Sequence, residues 1–150
     1  MTQDSMRRET TNRGWATAGL LGAALSIGWV GVAVAFVLPA FTGSPPGTWG
    51  DGVALGIVVF GVLLLAAIAA VGARSAWKHA FYGEDEQPRR LMTAGLCTVV
   101  IAGWPAVGAL TRGADGILDP TGAAAIALTA IGGVTLVVLH RARNAEGVRA

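Results

Sequence analysis

The densest run of chemically versatile side chains occupies one short segment: Trp77, Lys78, His79, Phe81, Tyr82, Glu84, Asp85, Glu86, Arg89 and Arg90. Three kinds of chemistry compete for it. One histidine near three carboxylates has the makings of a divalent-metal site, but a single imidazole with exposed carboxylates binds weakly unless a rigid turn holds them. Aromatic rings beside Lys and Arg are the residue types that anchor a chain in a membrane interface, with rings in the headgroup layer and cations on anionic lipid. The same side chains could dock a cytoplasmic partner. The interfacial anchor is the reading that the spacing favours. Arg74 and Lys78 are four apart, as are Trp77 and Phe81, so a helix here puts basic and aromatic residues on separate faces. Trp15, ahead of the first apolar stretch, has the same interfacial character. The candidate lipid-interface or partner contacts are therefore Trp15, Arg74, Trp77, Lys78, Phe81, Tyr82, Arg89 and Arg90.

Elsewhere the chain offers little chemistry. Its single cysteine, Cys97, excludes an internal disulfide, a thiol-pair redox centre and zinc held by paired cysteines. Set among apolar residues, it reads as a small core residue and not as a nucleophile. Thr17, Ser26, Thr93, Thr98, Thr129 and Thr135 could line a pore for a neutral solute. The structural alternative is preferred: such hydroxyls bond a carbonyl in the preceding turn or a neighbouring helix. There is no phosphate-binding loop and no paired-histidine zinc motif. No catalytic, cofactor-binding or metal-ligating residue is assigned, and the pattern points away from an enzyme.

Those residues are set between four stretches with no charge at all: Gly14–Gly50, Gly52–Ala73, Leu91–Thr111 and Pro120–Leu139. Each is long enough to cross a hydrocarbon core of about 30 Å as a helix rising about 1.5 Å per residue. With 53% hydrophobic residues, 13% charged and a mean hydropathy of +0.59, the 150-residue chain is too apolar for an ordinary soluble domain. An ionisable group inside a span costs about 2.5–3.5 kcal/mol and is kept where function needs it. The lack of any points away from proton-coupled transport, an intramembrane carboxylate base and a metal held between helices.

The expected fold class is an all-α membrane protein, four transmembrane helices in an up-and-down bundle. A polar tail (1–13) precedes the transmembrane domain (14–139), and a second tail (140–150) follows it. The spans are expected at about 15–38, 53–73, 91–110 and 121–139. Threading the chain back and forth puts every Lys and Arg except Arg112 on one side. By the positive-inside rule that side is cytoplasmic, so both termini and the central loop face in. The basic balance then reflects insertion and anionic inner-leaflet lipid, and not nucleic acid, which needs a continuous basic stripe.

Local signals refine the boundaries. The first helix should stop before Pro39, and Pro/Gly-rich turns should follow, with Trp49 anchored at the outer interface. Asp51 is placed to cap the second helix, which should overrun the bilayer and stop at Gly83. The acidic triplet Glu84-Asp85-Glu86 and Pro88 suit the start of the third helix, and Pro105 should kink its outer part. Asp119-Pro120 reads as a cap followed by first-turn proline. Ala33-Val34-Ala35 resembles a signal-peptidase site, but the apolar run before it is longer than a signal peptide needs, so the first span is expected to stay. Ile27-Gly28-Trp29 and Ile101-Ala102-Gly103-Trp104 are a faint internal likeness, of the kind chance produces in such a sequence.

Small residues four apart recur: Ala18/Gly22, Ala24/Gly28, Gly31/Ala35, Gly52/Gly56, Ala66/Ala70, Ala123/Ala127 and Thr129/Gly133. They let helix backbones approach closely, within one chain or between chains. The expectation is a small integral protein of a bacterial plasma membrane, acting as an accessory or scaffold subunit through helix–helix association. Its partners are the bilayer with its anionic inner-leaflet lipid, and another membrane protein or further copies of itself. The alternative is a homo-oligomeric channel or uncoupled exporter of a small neutral solute. The bacterial assignment rests on a strong excess of Arg over Lys and on abundant Gly.

Overall fold

The computed structural model describes the backbone of residues 3–42, 49–82 and 89–147, and the side chains of 12–39, 42, 51–82 and 89–145. These residues are helical almost throughout: α1 (Gln3–Phe41), α2 (Trp49–Tyr82), α3 (Arg89–Thr111), the short α4 (Ala114–Leu118) and α5 (Pro120–Gly147). Within them, four segments are long and apolar enough to cross a membrane: Asn12–Pro39, Asp51–Tyr82, Arg89–Thr111 and Pro120–Ala145.

The long helices pack as a ring in the order α1, α2, α3, α5 and back to α1, with α1 and α3 touching slightly across the centre. Glycines fix the register. Gly19 lies under the Trp77 ring and Gly22 against Ala73, so α1 and α2 run antiparallel. Gly14 meets Ala142 and Gly28 meets Leu128, which makes α5 antiparallel to α1. Gly95 meets Leu136, and Arg143 reaches Met92, which fixes α3 against α5 in the same way.

The core is narrow and consists largely of alanine. One cluster joins Leu25, Trp29, Ala33, Val62, Ala66, Ala69, Ala94, Ala102 and Leu128. A second, nearer the chain termini, joins Trp15, Ala18, Ala76, Ala80, Leu91, Leu139 and Ala142. Large apolar side chains point outward instead: Ile27 is 72% exposed and Trp104 86%. In water this would leave an apolar surface far beyond the few hundred Å² that monomers tolerate. Against lipid tails, burying Leu or Ile gains little, so small residues go inside where helices must approach and large ones face the hydrocarbon. The distribution fits a multi-pass membrane protein.

Several elements run further than expected. α1 begins at Gln3, within the segment expected to be a polar tail, and has 39 residues. No Gly or Pro interrupts residues 3–13, and Asp4/Arg8 and Glu9/Arg13 place acid before base at the spacing that favours a helix. Nor does α1 stop before Pro39: it continues to Phe41, and Thr42 N–H still donates to the Leu38 carbonyl at 3.1 Å. Proline lacks only its own N–H, so the last turn loses a single bond, to the Ala35 carbonyl. α5 likewise continues through the expected C-terminal tail to Gly147. Asp51 is not the cap of α2, which starts two residues earlier. It lies in the first turn, where a carboxylate still meets the positive end of the helix dipole. α3 runs unbroken from Arg89 to Thr111 through Pro105.

The connection between α3 and α5 contains a short helix of its own, α4. Gly113 turns the chain with φ at 67°, and Ile117 N–H then donates to the Gly113 carbonyl at 3.1 Å. Asp119 caps α5 as expected, its Oδ2 accepting from Gly122 N–H at 3.3 Å and from the Thr121 hydroxyl. The turns expected at 43–48, the Trp49 side chain, Gly83, the acidic triplet and Pro88 lie outside the described residues. The faint internal likeness has no structural counterpart, since Trp29 is buried and Trp104 is exposed.

Candidate functional site

The candidate contact residues separate into two groups with different surroundings. Trp15 is only 2% exposed, so its ring faces the bundle and not the lipid interface; it meets His79 edge to face, with centroids 4.9 Å apart. Trp77, two residues before His79, folds over Gly19, and its Nε1–H donates to the Ala16 carbonyl at 3.3 Å. A Cβ at position 19 would lie 2.5 Å from that ring. These three rings pack where α1 and α2 cross. His79 is therefore engaged in packing, and the described residues contain no group of three His, Cys, Asp or Glu that could hold a metal.

The second group faces outward. Arg74, Arg89 and Arg90 are exposed, Lys78 is half-buried, and Phe81 and Tyr82 project from the last turn of α2, Tyr82 with 80% of its surface free. α2 has 34 residues, about 51 Å at the usual rise, so its end extends past a hydrocarbon core of about 30 Å. Cations and aromatic rings at that end form an open collar.

Beside the collar an open groove of about 430 Å³ runs between α2 and α3. Ala67, Ile68 and Val71 line one wall; Arg89, Arg90 and Thr93 line the other. Its existence follows from the way the two helices cross. Leu91 is fully buried against Gly72, where a Cβ would come within 2.6 Å of the Leu91 nitrogen. The backbones touch at that point, and the groove opens beside it. The Thr93 hydroxyl donates to the Arg89 carbonyl at 3.1 Å, so the polar atom on that wall is already bonded. What remains is an apolar trough with two guanidinium groups at its rim.

Sequence reading missed the polar contact at the centre. Trp29 Nε1–H donates to Thr98 Oγ1 at 2.9 Å, with both side chains buried, and joins α1 to α3 across the ring. The available signal was a tryptophan in the middle of an apolar stretch: a buried indole N–H needs an acceptor. Four of the other span hydroxyls behave as the structural reading expected. Thr17, Thr93, Thr129 and Thr135 each donate to the carbonyl four residues back. Cys97 is half-buried. Among the described residues no buried side-chain nitrogen or oxygen lacks a hydrogen bond.

The small-residue pairs also separate. Ala18/Gly22 and Ala24/Gly28 face α2, α3 and α5 inside the bundle. Gly31/Ala35 and Ala123/Ala127 are exposed, and a Cβ at Gly31 would meet nothing within 4 Å. With Gly28 level with Leu128, the antiparallel run puts both exposed pairs at overlapping depth on adjacent helices. Compared with known protein families, curated proteins and solved structures, the chain matches none.

Proposed function

We propose that the chain is a small multi-pass protein of a bacterial plasma membrane, with both termini and the collar in the cytoplasm, acting through helix–helix contact as an accessory or scaffold subunit. One observation carries this reading: small residues are exposed at overlapping depth on the adjacent helices α1 and α5. Gly31, Ala35, Ala123 and Ala127 make a shallow apolar surface on which a neighbouring helix can approach backbone to backbone. The charge distribution supports the orientation. Arg74, Lys78, Arg89, Arg90, Arg141 and Arg143 gather at one end of the bundle, and Arg112 lies at the other.

The alternative is a channel built from several copies. The centre of a single bundle is filled by Leu25, Trp29 and Leu128, so a path for solute would have to run between copies. One experiment separates the two. The tagged chain is extracted from native membranes in mild detergent, and the mass of the complex is measured. A stoichiometric second protein is the expected result. A homo-oligomer alone transfers the reading to the channel, and a bare monomer removes both.

A further inference from the structure

The groove between α2 and α3 changes chemistry along its length, and that change matches one class of molecule. Its α2 wall is Ala67, Ile68 and Val71, and Arg89 and Arg90 border it on α3. Ala67, Val71, Arg74 and Lys78 are spaced four, three and four apart, so a single stripe of α2 passes from apolar wall to cation. Arg74 ends the uncharged run of α2, and Arg89 and Arg90 immediately precede that of α3. On the membrane reading, their guanidinium groups therefore sit at the depth of lipid phosphates, and the trough descends from them into the hydrocarbon. From Ala67 to Arg74 the stripe spans about 10 Å, short for a docked helix but long enough for a glycerol backbone and the upper part of an acyl chain.

We propose that this groove binds one anionic phospholipid of the adjoining leaflet, with its phosphate on Arg89, Arg90 and Arg74 and an acyl chain along Ala67, Ile68 and Val71. The planar guanidinium group matches phosphate oxygens two at a time, and the bond is charge-assisted. The Thr93 hydroxyl, bonded to the Arg89 carbonyl, leaves the α3 wall apolar below the rim. The open side of the groove lets a chain enter laterally from the bilayer. The proposal rests on the chain being embedded in a membrane, but not on which end is cytoplasmic or on any partner.

The test uses the full chain in detergent, titrated with dioleoylphosphatidylglycerol or dioleoylphosphatidylcholine, with bound lipid counted by native mass spectrometry. One phosphatidylglycerol should be retained per chain, with phosphatidylcholine held roughly tenfold more weakly. The R89Q/R90Q variant should lose about tenfold of that preference. Because both residues are exposed, its helical content should be unchanged. Val71→Trp fills the trough from an exposed position and should expel either lipid while leaving the arginines intact. Equal retention of the two lipids, or an unchanged preference in R89Q/R90Q, overturns the proposal. So does displacement by millimolar inorganic phosphate, which would make this a site for the free anion. A photo-crosslinker at Thr93 that captures a second polypeptide would assign the groove to a helix, again overturning it. Lipid in detergent reaches both ends of the bundle, so this result stands apart from the orientation, which thiol labelling reads separately.

Discussion

Thr98 is the residue on which the centre of the bundle most depends. Its hydroxyl is the acceptor for the buried Trp29 indole N–H, and a valine there would keep the shape while orphaning the donor. An unsatisfied buried donor costs about 1–3 kcal/mol in general, and interhelical polar contacts in membranes average about 0.6. Thr98→Val is therefore expected to destabilise the chain by about 1 kcal/mol, and Thr98→Ser to retain most of the stability, in reversible unfolding from micelles. Asp119 gives a second prediction. The Thr121 hydroxyl, the Gly122 and Thr121 backbone N–H groups and Arg112 together hold its carboxyl below the ordinary value of 3.8, against a smaller opposing effect of burial. A carboxylate with a depressed folded-state pKa stabilises above its unfolded value, and that contribution is lost as pH falls through the lower folded one. Protection of the Gly122 amide should thus be constant from pH 7 down to about 4 and fall below it. Asp119→Ala should lower protection at pH 7 and change little near pH 2. The Asp119 cap was legible because proline and threonine follow it. The Trp29–Thr98 bond was not, because its partners are 69 residues apart and no local rule pairs them.

Among the helices, glycines of similar sequence context play opposite parts. A Cβ at Gly22 would lie 2.6 Å from Leu91 Cδ1 and 3.0 Å from Ala73 Cβ, whereas at Gly31 it would meet nothing within 4 Å. Gly22→Val is expected to overpack the crossing of α1, α2 and α3 and to cost about 1–3 kcal/mol. Gly31→Val should leave monomer stability within about 0.5 kcal/mol while weakening association with a partner or a second copy. Size-exclusion chromatography with light scattering, run beside thermal unfolding, reads both effects. If Gly31→Val destabilises the monomer as much as Gly22→Val does, the exposed pair on α1 is part of the fold and not a contact surface. The existence of four long helices was plain from the uncharged stretches. The role of each small residue was not, because a four-residue spacing marks a helix face without saying what that face meets. Helix ends were misjudged for a related reason. Pro39 and the polar residues after Gln3 discourage a helix only where nothing else supports one, and here a continuous 39-residue helix carries through both.

For the whole molecule, the arrangement of size is reversed from that of a soluble bundle. Alanine and glycine hold the helices together, while Ile27, Phe60 and Trp104 face outward. Composition alone announced an apolar chain; this sorting of small residues inward required the folded ring. Orientation depends on a different property, the charge at the two ends. Ten of the eleven Lys and Arg residues lie with the termini and the central connection, and Arg112 lies opposite among Asp51, Asp115 and Asp119. That bias sets insertion through the positive-inside rule. The structure supplies well-exposed reporters at both ends: Asp115, within α4, and Tyr82, at the tip of α2. With Cys97 replaced by Ala, a cysteine at Asp115 should react with a membrane-impermeant maleimide in intact spheroplasts. A cysteine at Tyr82 should react only after lysis. Reaction of the Tyr82→Cys variant in intact cells would reverse the orientation and move the arginine collar to the outer face. The fold and the lipid groove would survive that reversal, since neither depends on which leaflet the collar meets. The proposed helix–helix contact would survive it too, because Gly31, Ala35, Ala123 and Ala127 lie within the spans, where a partner helix meets them in either orientation.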